Sequence, residues 1–395
     1  MRQTDPANLA SDFLDRHQHH DLSEVEFLGA QYDAGLAWPQ FPRGLGGCDA
    51  TAAEASAVVD VFSSRGVPFT NMARNPIGYG MAAPTLLSWA TPEVSGGHLR
   101  QIFTGEEIWC QMFSEPSSGS DLAGIASRAI RDGDEWVING QKVWTSLAHK
   151  AHFALIVVRT DPDVPKHRGL SYFYVDMKTD GIEVVPLIQL TGDAEFNEVF
   201  LDSVRVPESN MLGRPGEGWR VATTTLMNER VAIGSSPSTG PTAGESLLAA
   251  WKANGTTMTE PSRSALRIRL LKLYVKAEVT RMAIARARVT ASGGVPGPEG
   301  SIGKLASAEL SQHVAELVLD LEGCRLMLHP DGYQMIRTEG STRTASPVRQ
   351  FLRSRASTIE GGTSEVMRNI LGERVLGLPP DVRVDRDVPW SDLPR

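Results

Sequence analysis

Apolar positions over the first hundred residues recur at three- and four-residue intervals, the spacing that places side chains on one face of an α-helix. "DPANLASDFLDRHQHH" opens with helix-start chemistry at Asp5-Pro6, and "DATAAEASAVVDVFSSRG" keeps helical spacing up to Gly66. "TPEVSGGHLRQIFTGEE" reads as a short helix followed by a turn. From residue 106 the pattern changes. "DGDEWVINGQKVWTS" alternates on either side of Asn139-Gly140, a dipeptide that signals a tight hairpin. "AHFALIVVRT", "GLSYFYVDM", "GIEVVPLI" and "NEVFLDSVRVP" are apolar or alternating runs of strand length separated by turn residues. They predict an antiparallel β-domain of roughly six to eight strands.

Helical spacing returns after residue 212. "GWRVATTTLMNERVAIGSS" is one helix, and "SRSALRIRLLKLYVKAEVTRMAIARARVTAS" is a long one broken at "GGVPGPEG". "SIGKLASAELSQHVAELVLDLEG" places Leu305, Leu310, Val314, Leu317, Val318 and Leu321 at bundle-like spacing. The Ser-, Thr-, Gly- and Pro-rich segment 235–262 is expected to be a loop or linker, and the tail "LPPDVRVDRDVPWSDLPR" to be extended. The expectation is an α+β multidomain chain: helices over 1–105, a β-domain over 106–212, and a helical bundle with an extended tail over 213–395.

Composition narrows the function. The chain has 395 residues, 41% hydrophobic and 22% charged, as in ordinary globular proteins. A net charge of −8 gives no overall basic field to attract phosphate, so nucleic acid is not an expected partner. No apolar run reaches the roughly 18 residues that a membrane span needs. The N-terminal stretch has neither a signal-peptide core nor the features of a transit segment. Cys48, Cys110 and Cys324 are far apart, which points away from a disulfide framework and toward a reducing cytoplasm. The doublet His19-His20 lacks a third ligand, so no metal is expected. No Gly-x-Gly-x-x-Gly run lies between a strand and a helix, which argues against a nicotinamide cofactor bound in the Rossmann manner.

Two stretches carry candidate chemistry. "WCQMFSEPSSGSDLAG", residues 109–124, surrounds Gly119 with Ser114, Ser117, Ser118 and Ser120. It reads either as a polar turn before a strand or as a loop whose amides and hydroxyls face a ligand. In "NGQKVWTS" Trp144 stands near a turn, where it serves either core packing or a planar cofactor.

These two stretches, together with "VFLDSVRVPESNMLG", "GEGW" and "IEGGTSEVMRNILGERVLGLP" in this order and spacing, resemble the acyl-CoA dehydrogenase family from about residue 25 to residue 380. The resemblance implies a helical N-domain, a β-barrel-like middle domain and a C-terminal four-helix bundle. It also implies FAD, an acyl-CoA thioester and an electron-transfer flavoprotein as partners. Carried over by position, it sets Gln111, Phe113 and Ser114 along the flavin ring, Ser120 between flavin and CoA, Trp144 against the flavin and Ser146 near flavin N5. Thr363, in the Gly-Thr run, falls among the cofactor-binding positions.

Oxidising a thioester between Cα and Cβ requires a carboxylate for the α-proton, an acceptor for the β-hydride and donors for the carbonyl oxygen. Many members of the family carry the base as a Glu directly before Gly-Thr. Here Gly361 precedes Gly362-Thr363, and Glu360 is one position further out. Glu360 is therefore read as off-register, solvated or paired with a nearby arginine. Long-chain and isovaleryl members place the base in a Glu-Arg pair on a bundle helix, and "LMNERVAIG" holds Glu229-Arg230 at that position. The resemblance thus implies Glu229 as base, Arg230 as support for the base or the ligand, and the Gly361 N–H as a donor to the thioester oxygen.

The chain also departs from the family. The Arg-x-x-Phe-Gly run with which homotetrameric relatives reach a neighbour's FAD is missing from "AWKANGTTMTEPSRSALRIR", and Asp320 and Cys324 occupy positions where Gln and Gly are common. Either Arg263 or Lys252 substitutes, or FAD is held differently, or another chain completes the site. The expected state is a homo- or hetero-oligomer. The rival readings are a flavin oxidase or monooxygenase on the same fold, and a partner subunit of a heteromeric dehydrogenase.

Overall fold

The structure, a computed structural model, describes residues 5–70, 72–235, 242–255, 259–291, 300–327, 335, 346–382 and 384–394. The helices of the first part form where capping residues precede apolar runs. They are α1 (Pro6–Arg16), α2 (Glu24–Asp33), α3 (Ala52–Ser64), α4 (Ala83–Trp89) and α5 (Pro92–Thr104), with a π-helical turn at Gly78–Ala82 before α4. Asp5 caps α1 by accepting from the Ala7 amide at 3.0 Å. Ser23 with Glu26 and Thr51 with Glu54 build capping boxes on α2 and α3, each satisfying amides that the helix itself leaves unpaired. Phe13, Phe27 and Phe62 pack together in the core that these helices share.

Seven strands follow: β1 (Trp109–Met112), β2 (Arg128–Asp132), β3 (Glu135–Ser146), β4 (Phe153–Arg159), β5 (Leu170–Asp176), β6 (Ile182–Pro186) and β7 (Phe196–Pro207). They form one sheet in the order β1-β4-β2-β3-β7-β6, with β5 on the other side of β4 from the main path. The four long runs quoted above are the strands β4 to β7. The expectation of an antiparallel sheet holds for most pairings, but β1 and β2 both run parallel to β4. Since β5 lines one edge of β4 along its whole length, β1 (opposite 153–156) and β2 (opposite 159) lie end to end along the other edge, and the segment 113–127 is an excursion between them. Such a connection is long, and its backbone needs partners other than a neighbouring strand.

The hairpin expected at Asn139-Gly140 is absent. The turn that joins β2 to β3 is at Asp132–Glu135, with Gly133 at φ +68°, and β3 runs straight through 139–140 opposite β7. Asn139 Oδ1 accepts from the Ser203 amide at 2.9 Å, so its side chain serves the ladder. Gly140 is required for a different reason: a Cβ there would lie 2.2 Å from Ser127 Oγ. The dipeptide marks a close approach and a register shift.

The last part contains α6 (Gly218–Ser235), α7 (Ala243–Asn254), α8 (Glu260–Ala291), α9 (Gly300–Glu322), α10 (Pro347–Ser354) and α11 (Ser364–Ile370). Helix α7 corrects the expected 235–262 linker. Thr242 and Glu245 form its capping box, and Leu247 buries its apolar face against Leu270 and Leu317. Local composition was outweighed by the tertiary contact. Residues 236–241, 256–258 and 292–299, and most of the divergent loop at 323–350, lie outside the described residues. The tail also differs from expectation. It is exposed and without regular structure over 377–382, and its end docks beside β4 and the following loop with a short helical turn at Trp390–Asp392.

A buried ion pair secures the 113–127 loop. Lys142 follows Trp136 and Ile138 in the inward phase of β3 and is fully buried. Its ammonium donates to Glu115 Oε1 at 2.8 Å, Val157 O at 2.8 Å and Phe113 O at 3.1 Å. Glu115 also accepts from the amides of Ala126 at 2.6 Å and Ser127 at 3.0 Å. Burial alone would push the Glu115 carboxyl up, but Lys142 and these amides hold it below the ordinary carboxylate range.

Glu115→Gln should therefore destabilise the protein by about 3–5 kcal/mol in urea unfolding, because it leaves the Lys142 charge buried without a counter-charge. The Glu115→Gln/Lys142→Met double variant should be less destabilised than that single variant. The folded-state value of Glu115 is depressed, so its contribution is fully present above the unfolded value of about 4.3 and fades as pH falls toward the depressed value. The acid limb of the stability profile should flatten in Glu115→Gln.

Candidate functional site

Three segments that are distant in sequence meet at one end of the sheet. Two of them are the end of β1 and a bulge in β3. Between Lys142 and Thr145 the β3 register against β7 slips, so Lys142 faces Val199 and Thr145 faces Asn197 with one extra residue on β3. The bulge lets Lys142 and Thr145 both point inward and turns Trp144 out. Trp144 adopts φ +61°, a left-handed backbone that costs a bulky residue energy, and its ring is 59% exposed with only an edge contact to Phe196 at 6.0 Å. The core-packing alternative for Trp144 is thereby excluded. Ser114 O accepts from the Val143 amide at 2.9 Å, which ties the residues after β1 to this bulge.

Gln111 and Ser114 are half-buried here, Ser146 closes β3 opposite Phe196, and Leu147 follows at φ +58°. Phe113 differs from the others. Its ring is buried against Tyr172, with centroids 5.7 Å apart, so only its backbone faces this end. Gln111 Oε1 and Thr145 Oγ1 are buried without a hydrogen-bond partner. Orphaned polar atoms next to an outward-turned indole fit a planar ring with polar edges, as in the flavin implied by the sequence.

The 113–127 loop supplies the rim. Its base is held by Glu115, while Ser117, Gly119 and Ser120 at its tip are exposed. A Cβ at Gly119 would meet nothing within 4 Å, so the tip backbone is open to a ligand.

The third segment lies between α6 and the turn before α11. Thr225, one helical turn before Glu229, bonds Tyr172 Oη at 3.0 Å and Thr85 Oγ1 at 2.9 Å, which fixes α6 against β5 and α4. Glu229 is half-buried on this helix. For Arg230 only the helical backbone is described, and its side chain lies outside the described residues. The turn at 359–363 carries Gly361 at φ +64° and Gly362 at φ +96°, conformations that favour glycine, and Thr363 caps α11 through the Val366 amide at 3.2 Å. Ser364 Oγ, the next residue's hydroxyl, is buried without a partner. Glu360 faces away from this turn: both its oxygens are taken by Arg353, at 2.9 and 2.8 Å, and its side chain is 42% exposed. This is the arginine pairing expected for it.

Sequence reasoning missed two cations at this site. Arg353 links Glu360 to Glu195, 3.9 Å away, whose backbone carbonyl accepts from the Leu147 amide beyond Trp144. Lys304, on α9, donates to Ser357 O at 2.6 Å. Burial pushes its ammonium below the usual lysine range, while Glu360 and Glu229 both pull it back up. It therefore lies within electrostatic reach of both carboxylates. A lysine on a bundle helix gives no signal of this in sequence. Lys142 did give one, as a charge in the inward phase of a strand. Asp320, one of the departures from the family, is bound to Arg269 at 2.6 Å, and Arg263 and Lys252, the residues considered as replacements for the missing cofactor-reaching run, are exposed.

Among the described residues no helix is long and apolar enough to cross a membrane, and no cluster of three metal-ligating side chains occurs. Residues 110–204 match the family model for the acyl-CoA dehydrogenase middle domain, and residues 216–376 match that for the acyl-CoA dehydrogenase C-terminal domain. Acyl-CoA dehydrogenase IpdE1 of Mycobacterium tuberculosis is 35% identical over 354 residues, covering 89% of this chain and 86% of its own. Acyl-CoA dehydrogenase FadE34 of the same organism is 38% identical over 359 residues, covering 91% of this chain, which spans 47% of that longer relative. The solved ChsE4-ChsE5 complex from Mycobacterium tuberculosis is similar with a TM-score of 0.68 at 26% identity, over 95% of this chain and 97% of that one. The outward Trp144, the loop rim and the glycine turn thus belong to a chain matched over about nine-tenths of its own length by these relatives, and the chain is a member of the acyl-CoA dehydrogenase family of FAD-dependent oxidoreductases.

Proposed function

We propose that this chain dehydrogenates an acyl-CoA thioester to a trans-2-enoyl-CoA in the cytoplasm, handing electrons to an electron-transfer flavoprotein, with Glu229 as the base. The observation that carries the assignment of the base is the two-point capture of Glu360 by Arg353. A carboxylate held at both oxygens and turned to solvent is a poor acceptor for a substrate proton, whereas Glu229 stands half-buried where α6 faces Lys304.

In this reading Gln111, Phe113 and Ser114 by backbone and polar atoms, Trp144 by its ring, and Ser146 and Thr363 by their hydroxyls hold FAD. Ser120 and Arg230 hold the acyl-CoA. Bound FAD supplies the acceptor for the hydride that leaves Cβ. Glu229 takes the proton from Cα, and the Gly361 N–H, in a turn whose left-handed backbone favours glycine, stabilises the charge that develops on the thioester oxygen. A base of this kind is not needed by a monooxygenase, which makes that rival the weaker reading.

Glu229→Gln should slow anaerobic flavin reduction by a good acyl-CoA about 10²- to 10⁴-fold, since glutamine cannot accept the proton. Glu360→Gln should stay within a few-fold of wild type. A stalled Glu360→Gln beside a normal Glu229→Gln would return the base to the turn.

Trp144→Ala should lose flavin more readily, about fivefold in dissociation constant if stacking contributes on the order of 1 kcal/mol. Its melting temperature should hardly change, because the ring covers little of the core. Wild-type flavin content and turnover in this variant would remove Trp144 from the site.

A second reading, a subunit completed by another chain of the same fold, is favoured by one stripe. Ile268, Leu271, Val275, Val279 and Met282 follow one another at three- and four-residue steps along α8, each at least half exposed. Sedimentation of the chain expressed alone, and with candidate partner chains, should give a mass above that of a single chain. Val275→Asp should reduce both that mass and the flavin content. A monomer with full flavin and activity would contradict the assembly.

A further inference from the structure

The C-terminal family model ends at residue 376, yet residues 384–394 dock on Arg159, on the segment 162–166 and, through Trp390, on the 113–127 loop. Arg159 at the end of β4 is 2% exposed and donates to Ala123 O at 2.6 Å and Ile125 O at 3.1 Å. The carbonyl between them, Gly124 O, accepts from the Trp390 indole at 3.2 Å, and the same indole lies 4.2 Å from the Arg159 guanidinium carbon. Three successive carbonyls are thus claimed by one cation and by the ring stacked on it.

The tail is seated by backbone bonds as well. The amides of Trp390 and Ser391 donate to Val164 O at 3.0 Å and Pro162 O at 2.9 Å, beside a bridge between Pro165 and Pro389. Lys166 closes the arrangement with an ammonium shared between Asp121 Oδ2 at 2.8 Å and Asp385 Oδ2 at 2.7 Å. The loop from Asp121 to Ile125 follows directly on the exposed tip at Gly119 and Ser120. Its inner side is fixed by Glu115, and its outer side depends on the tail.

We propose that residues 384–394 form a strap that fixes this loop in the conformation that binds ligand, which makes Trp390 and Asp385 positioning residues for FAD and acyl-CoA. The strap rests on the function proposed above for the loop tip. A loop without strand partners samples many conformations. Holding it from both sides removes that freedom before the ligand arrives, so the effect falls on binding and not on the chemical step.

The experiment compares the full chain with Trp390→Ala, Trp390→Phe and a chain ending at residue 382. FAD dissociation, the acyl-CoA KM and kcat per bound flavin are measured, together with hydrogen exchange of the 117–125 amides at saturating FAD. Trp390→Ala should raise the FAD dissociation constant and KM about tenfold, as expected for losing a hydrogen bond and a cation–ring contact, with kcat changed less than twofold. Exchange in 117–125 should accelerate while exchange in α9 stays as in wild type. Trp390→Phe keeps the ring over Arg159 and loses only the Gly124 bond, so it should fall between the two. Unchanged exchange in the loop overturns the strap, and faster exchange with unchanged FAD and acyl-CoA binding overturns its role at the site. If the shortened chain fails to fold, Trp390→Ala decides alone. A wild-type chain that takes up no flavin sinks the proposed function itself, an outcome distinct from a variant that binds as wild type does.

Discussion

One buried ammonium organises the ligand-facing end of this protein. Lys142 has three hydrogens to donate, and three acceptors take them: the Glu115 carboxylate, the carbonyl that follows β1 and a carbonyl inside β4. The same carboxylate accepts the amides that lead into β2. A charge pair removed from water is costly unless its groups are satisfied, and here they are satisfied in part by the excursion that separates β1 from β2 along one edge of β4. The pair lets an otherwise unsupported segment leave the edge of β4, return to it, and present its serine-rich tip outward.

Around that anchor the backbone accepts unfavourable conformations in a few places, and these cluster. Trp144 and Leu147 have positive φ within four residues of each other, and Gly361 and Gly362 do so in the turn across from α6. Such geometry persists where surrounding contacts over-determine it. For Trp144 those contacts are the slipped β3–β7 ladder and the Val143–Ser114 bond. The result is an exposed indole at the edge of a core that elsewhere buries its large aromatic rings, such as Trp109, Tyr172 and Phe173.

Charge is divided between two roles near the turn. Arg353 takes both oxygens of Glu360 and approaches Glu195, whose backbone supports the Trp144 segment, so this set joins the turn to the sheet. Asp193 and Arg349 pair at a buried contact between the same sheet loop and α10. Lys304 lies within electrostatic reach of Glu360 and Glu229; burial weakens its hold on its proton and both carboxylates strengthen it. Glutamates of identical chemistry thereby stand in different surroundings, Glu360 held by a guanidinium and half exposed, Glu229 half-buried on α6.

The sequence by itself determined the succession of helices, strands and helices, because capping residues and apolar periodicity are local properties. Asp5-Pro6, Thr51 to Gly66 and the strand runs from residue 153 onward all formed the elements their patterns predicted. The family and its cofactor were legible too, since several short motifs agreed in order and spacing. Tertiary structure decided what depends on partners remote along the chain. Asn139-Gly140 has hairpin chemistry, but β7 and Ser127 held it within a continuous strand. The segment before α8 has loop composition, but a buried face at Leu247 made it helical. Lys304 reads as an ordinary helix lysine until Ser357 and two glutamates surround it. The tail reads as extended until Arg159, Lys166 and Gly124 give it a seat. In each case the deciding interaction joins residues that no local window contains, and the energy of burying or pairing them exceeds the local preference.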